Sequence, residues 1–246
     1  MTIPFEPVFF GYEINIHLIF EYFAFFIGYR YYAYLRKKQE DLIQTTNRFS
    51  IIFGAAMGAF LGSRIMGFFE SPILPDDLIS IVKALNTKTI MGGLFGGLLG
   101  VELTKKIINE KNSSGDLFTF PIILGIFIGR MGCFLSGTNE FTYGNVTSSF
   151  VGMNLGDNLT RHPTALYELI FLFVLFLFLW RLKNRGLKNG LLFEYFMISY
   201  FTFRFLIEFI KPNIFFILGL SSIQILSLTC LIYYHKTILN LVINAR

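Results

Sequence analysis

Seven apolar runs, each near the ~20 residues that cross a bilayer as a helix, leave this chain few ways to fold. They lie at about 14–35, 49–69, 88–107, 117–136, 164–181, 190–210 and 214–235. Only 15% of the residues are charged, where a soluble domain carries about a quarter. The 31 phenylalanines are spread along the chain instead of gathering in one core. A soluble globular domain is excluded. The pattern predicts an all-α, polytopic integral membrane protein with about seven transmembrane helices. Residues 1–246 are expected to form a single transmembrane domain, with a polar outer-face arm at 138–163 between helices 4 and 5.

The net charge of +5 invites a nucleic-acid reading, but the placement of the charges decides against it. Arg30, Arg64, Arg130 and Arg204 fall inside the apolar runs. Of the other 17 basic residues, 13 lie in the 36–48, 105–116 and 181–189 connections and at the C-terminal end. The positive-inside rule then puts the N-terminus outside and the C-terminus in the cytoplasm, which an odd number of spans satisfies. Met1–Phe10 carries no Lys or Arg, so no cationic n-region and no cleavable signal peptide is expected. Cys133 and Cys230 give no CxxC or metal-ligand spacing, so neither a disulfide nor a metal is expected, and no cofactor.

Within this frame the polar residues are informative because burying them in a bilayer is costly. Gly54, Gly58 and Gly62 in span 2, and Gly92, Gly96 and Gly100 in span 3, recur every four residues. Such stripes let two helix backbones approach closely, so spans 2 and 3 are expected to pack together. Pro72 and Pro75 end span 2, and residues 71–87 are expected to lie in the outer interface. Residues 4–13 read as a short aromatic, strand-like segment on the same side. His17 and Glu21 share one face of span 1. Either they sit at the interface, or Glu21 faces a polar cavity in the bundle.

The stretch from Gly129 to Glu168 concentrates polar chemistry between two spans: GRMGCFLSG, a Gly/Asn/Thr/Ser-rich segment, then RHPTALYE. A buried Arg130 costs about 2.5 kcal/mol or more and needs an anionic partner or a polar cavity. Pro163 suits the first turn of span 5, which places Arg161 and His162 at a helix N-terminus that favours anions. In span 6, Tyr200, Arg204 and Glu208 recur every four residues. Taken alone they read equally as an internal Arg–Glu pair. Together, two membrane arginines with few obvious acids suggest a phosphate-bearing lipid headgroup, because a guanidinium fork suits phosphate.

These segments, in this order, resemble the prolipoprotein diacylglyceryl transferase family: GRMGCFLSG followed by YG, then RHPTALYE, SYFTFRFLIEF and QILS, with MGGLFGG in span 3. The resemblance runs from about residue 50 to residue 230. It implies a multi-pass enzyme of the bacterial cytoplasmic (inner) membrane. Such an enzyme moves a diacylglyceryl group from phosphatidylglycerol to the lipobox cysteine of a prolipoprotein and releases glycerol phosphate. The partners implied are phosphatidylglycerol or another anionic phospholipid, the prolipoprotein signal peptide and the bilayer itself. Arg130 is then the headgroup-contacting arginine of the signature, Gly144 the glycine closing it, and Arg204 the second arginine, with Tyr200 and Glu208 as neighbours. Arg161, His162, Pro163, Tyr167 and Glu168 match the segment that opens the next helix.

The departures bear on the chemistry. The family histidine before the Gly-Gly pair is Met91 here, the signature asparagine is Cys133, and its later asparagine is Ser136. Glu140 stands near the place of the acid that follows. A thioether does not titrate, so Met91 cannot take a thiol proton. His162, Glu140 and Glu21 are the candidate bases, and a thiol beside two arginines can also ionise unaided. Two alternatives stay open at this point. One is a divergent paralogue that binds anionic lipid but lipidates another acceptor or serves as a membrane-assembly subunit. The other is a transporter.

Overall fold

Helix dominates the computed structural model, which describes residues 3–39, 41–70, 87–213 and 219–244. A two-residue hairpin, β1 (Val8–Phe9) with β2 (Tyr12–Glu13), precedes α1 (Ile16–Lys38). There follow α2 (Thr45–Glu70), α3 (Ile90–Ile107), α4 (Asp116–Ser136), α5 (Thr164–Lys183), α6 (Leu191–Ile207), α7 (Ser222–Tyr233) and α8 (His235–Asn244). Between α4 and α5 the only strands are β3 (Met153–Asn154) and β4 (Thr160–Arg161), paired antiparallel. The first seven helices fall on the seven apolar runs. Among the described residues, Thr45–Glu70, Asp116–Asn139 and Thr164–Lys183 are long and apolar enough to cross a membrane. The amphipathic segment expected within 71–87 lies, Thr87 apart, outside the described residues.

The chain divides into two compact units. The first comprises Met1–Glu40, Ser114–Phe196 and Ile210–Pro212; the second comprises Asp41–Ser113, Met197–Phe209 and Asn213–Arg246. The boundary falls inside α6.

In the first unit α1 lies against α4, which in turn meets α5. Asn15 caps α1, its side chain accepting from the Leu18 N–H at 2.9 Å, and Arg36, Lys37 and Lys38 complement the dipole in the last turn. The two helices run antiparallel, and glycines set their spacing. A Cβ on Gly28 would sit 3.4 Å from the Pro121 carbonyl, and one on Gly125 3.6 Å from the Ala24 carbonyl. The tightest point is Gly132, where a Cβ would come within 2.7 Å of the Phe20 Cβ and 3.3 Å of the His17 Cα. The first residue of α4, Asp116, accepts from the backbone N–H groups of Gly190 (2.7 Å) and Phe193 (3.0 Å), so it caps α6 from outside that helix's own chain.

The second unit is built on α2 and α3. Their glycine stripes meet in antiparallel register: a Cβ on Gly54, Gly58 or Gly62 would overlap the backbone of Gly100, Gly96 or Gly92, respectively. The close packing expected from the two triplets is therefore what the helices do. At the far end of the pair, Asn47 donates to Glu110 at 3.0 Å and buried Arg48 is clasped by Asp41. Replacing Gly58 with Val is expected to force the helices apart at a cost of about 1–3 kcal/mol. The check is a lower thermal midpoint in detergent, with Gly93→Ala as a control, since a Cβ on Gly93 meets nothing closer than 3.8 Å.

Candidate active site

Arg130 projects from the last two turns of α4 and is 7% exposed, so its charge requires a partner. Glu168, on the second turn of α5 and 2% exposed, supplies it: Nε lies 2.9 Å from Oε1. One turn along α4, Cys133 presents its sulfur to the same guanidinium, with Nη1 donating to Sγ at 3.7 Å. From α1, His17 Nδ1 meets that sulfur at 3.6 Å. Gly132 makes this approach possible, because any side chain there would push α1 away at His17. Glu21, one turn further along α1, and Glu140, just after α4, lie within coulombic range of the imidazole. The first unit thus holds a compact array of guanidinium, carboxylate, thiol and imidazole. Beside the thiol is a cavity of about 10 Å³ lined by Gly137, Thr142, Leu155 and Pro163, room for one water.

The segment from Gly137 to Pro163 forms an arm without α-helix whose backbone is tied down at several points. Gly137, at φ +55°, turns the chain out of α4 through a 3-10 turn (Gly137–Asn139), and the Thr138 N–H donates to the Leu155 carbonyl at 3.0 Å. Gly144 donates to the His162 carbonyl at 2.8 Å and Asn145 to that of Ile210 at 2.7 Å. A Cβ on Gly144 would lie 2.9 Å from both of those carbonyl oxygens, so only glycine fits. Its place in the signature is therefore a matter of backbone packing. His162 hydrogen-bonds through Nδ1 to the Tyr167 hydroxyl at 3.1 Å, and α5 begins two residues later, with Pro163 as its N-cap residue.

Arg161 is held inside the arm. Nε donates to Asp157 at 2.6 Å, Nη1 to the Gly144 carbonyl at 3.4 Å, and its guanidinium stacks over Tyr143 at 4.9 Å. The hydrogen bond from Arg161 holds the Asp157 carboxyl below the usual aspartate range. Its folded value is the depressed one, so the contribution to arm order is complete above about pH 3.9 and is lost as pH falls through the folded value. A spin label at Asn158 (Asn158→Cys) should stay immobile from neutral pH down to that range. With Asp157→Asn it should be mobile already at neutral pH.

In the second unit, Arg204 on α6 pairs with Glu208 in the following 3-10 turn (Glu208–Ile210) at 2.7 Å. Glu208 has no exposed surface, and Asn213 donates to both its carboxylate and its backbone carbonyl. Tyr200, one turn before Arg204, is fully buried, and Met91 on α3 is 1% exposed. A capping box of Ser221 and Gln224 starts α7, and Gln224 Nε2 donates to the Phe205 carbonyl at 3.2 Å.

The sequence-predicted residues therefore fall into three groups. Arg130 stands with Cys133, and Glu140 and Glu21 lie near. His162, Arg161 and Gly144 belong to the arm and the start of α5. Arg204, Glu208 and Tyr200 belong to the second unit. One premise is corrected: the two membrane arginines do not want for acids, since Glu168 serves one and Glu208 the other. Three members are not singled out as site residues by the sequence: Glu168, His17 and Cys133, which stands there only as a departure from the signature asparagine. Glu168 carried the signal of an acid inside an apolar run. His17 carried only its shared face with Glu21, because its role depends on which helix α1 packs against.

With this geometry in place, comparison with known proteins adds the family. The prolipoprotein diacylglyceryl transferase family model matches residues 7–239. A phosphatidylglycerol–prolipoprotein diacylglyceryl transferase of Ehrlichia ruminantium (strain Welgevonden) is 33% identical over 211 residues, covering 76% of each chain. The protein of that name from Rickettsia felis is 33% identical over 218 residues, covering 80% of this chain and 77% of its own. The one from Pasteurella multocida is 30% identical over 202 residues, covering 77% and 72%.

Proposed function

The chain belongs to the prolipoprotein diacylglyceryl transferase family, and on that footing we propose that it transfers a diacylglyceryl group from phosphatidylglycerol to the lipobox cysteine thiol of a prolipoprotein. The observation that carries this reading is the buried Arg130, oriented by Glu168, within a chain matched from residue 7 to residue 239. A guanidinium carries its N–H donors in a planar fork that matches phosphate geometry. Arg130 then grips the lipid phosphate and stabilises the charge that grows on the leaving glycerol phosphate. Arg204, with Glu208 and Tyr200, is a second guanidinium for anionic lipid. His162, Glu140 and Glu21 lie in the unit that holds Arg130, and Arg161 and Gly144 shape the arm there. The relatives' shared transferase name supports catalysis over a purely lipid-binding role.

The seven helices are proposed to cross the inner membrane seven times, N-terminus outside and C-terminus cytoplasmic, with the 138–163 arm on the outer face. Alkaline phosphatase fused after Asn158 should be active and after Asn112 inactive; the reverse pattern would invert the topology. The function is tested in a strain depleted of its own transferase. Expression of this chain should restore the diacylglyceryl mass increment on a model prolipoprotein. Its absence, with the chain correctly inserted, would refute the reading.

A further inference from the structure

Thiol transfer needs a group to take the acceptor's proton, and Met91 cannot be that group. We propose that Cys133, backed by His17, is the group that takes the proton of the incoming lipobox thiol. This rests on the transferase reading and names the proton acceptor within it.

Cys133 Sγ sits 3.7 Å from the Arg130 guanidinium and 3.6 Å from His17 Nδ1, and it adjoins the small cavity under the arm. A sulfur in contact with both the phosphate-binding arginine and an imidazole is placed where the nucleophile must arrive. Sulfur next to imidazole is also a standard proton-transfer pair. The other candidates are less well placed. His162 has Nδ1 engaged by Tyr167. Glu140 and Glu21 act on the His17 imidazole. The charged groups around the pair are Arg130 on α4, Glu21 on α1, Glu168 on α5 and Glu140 after α4.

In the step proposed, the Cys133 proton rests on His17. The lipobox S–H gives its proton to the Cys133 sulfur as its own sulfur attacks the glyceryl carbon that bears the phosphate ester. The new C–S bond forms, the C–O bond breaks, and its electron pair stays on the phosphate oxygen. Glycerol phosphate leaves and takes the proton back from the pair. Cys133 touches the reacting thiol. His17 acts through Cys133 and is a positioning residue.

Two measurements test this in the full-length chain carrying Cys230→Ala, which removes the other thiol. The first is lipidation of a model prolipoprotein in phosphatidylglycerol vesicles. Cys133→Ser and His17→Gln should each lower kcat about a hundredfold, with KM for the lipid within about twofold. The acid limb of the pH–rate profile should move to higher pH in His17→Gln. The second is methylthiolation of Cys133 by methyl methanethiosulfonate at pH 6, which forms a methyl disulfide and releases methanesulfinate; read by intact mass, it should slow about tenfold in His17→Gln. Wild-type kcat in either variant, or methylthiolation that ignores His17, overturns the proposal. His17-dependent methylthiolation in a chain that lipidates nothing supports the pair while overturning the transferase reading.

Discussion

Arg130→Met should lower diacylglyceryl transfer by about two to three orders of magnitude, the usual effect of removing one donor aimed at developing charge. It should also destabilise the first unit, because Glu168 is then a buried carboxylate that has lost the Arg130 guanidinium. Breaking such a pair from one side costs about 3–5 kcal/mol, whereas replacing both members with apolar residues is often neutral. The double replacement Arg130→Met with Glu168→Met should therefore recover the thermal midpoint and leave transfer abolished. Midpoints from size-exclusion thermal shift and transfer rates from prolipoprotein mass would separate the two effects. If the double variant transferred lipid at the wild-type rate, Arg130 would be a structural ion-pair member and nothing more.

Glu208→Ala should be the most damaging single change in the second unit. Its carboxylate is fully buried, and both Arg204 and Asn213 depend on it. The expected loss is about 3–5 kcal/mol, larger than the roughly 1–3 kcal/mol of Asn213→Ala, which removes one hydrogen-bond partner. Here too the double change is diagnostic. Arg204→Met with Glu208→Met should accumulate as folded protein. If Arg204 also grips lipid, that protein is inactive. Full transfer by it would reduce Arg204 to a brace for the end of α6.

Much of this architecture was legible in the order of residues, for physical reasons. Apolar runs of bilayer length have to become helices, because lipid leaves no other partner for the backbone. The glycine triplets announced the α2–α3 contact, since removing side chains at every fourth residue has only one structural use. Pro163 also marks the start of α5, as its N-cap residue and not in its first turn, while the turn at Gly137 is seen only in the backbone. What the sequence could not show was who meets whom. Glu168 is 38 positions from Arg130 and His17 is 116 from Cys133. Neither separation has a periodicity to read, and the pairings follow from how α1 and α5 lie against α4. The expectation that Arg130 wants for an acid fails for the same reason, whereas Glu208 lies four residues from Arg204 and is legible as its partner.

The cap that Asp116 places on α6 has a consequence for the stretch before it. Gly190 and Phe193 take their hydrogen-bond partner from the start of α4, so that carboxylate fixes the beginning of α6 together with the Leu191 N–H bond to the Lys188 carbonyl. Residues 184–189 are then a tether. Gly186, at φ +71°, has no atom within 4 Å of where a Cβ would stand, so nothing leans on the tether there. A change in its length should leave the helices in their places. It is also where the polypeptide could be cut or lengthened, as in a split or tagged enzyme, with the register of α4 and α6 unchanged.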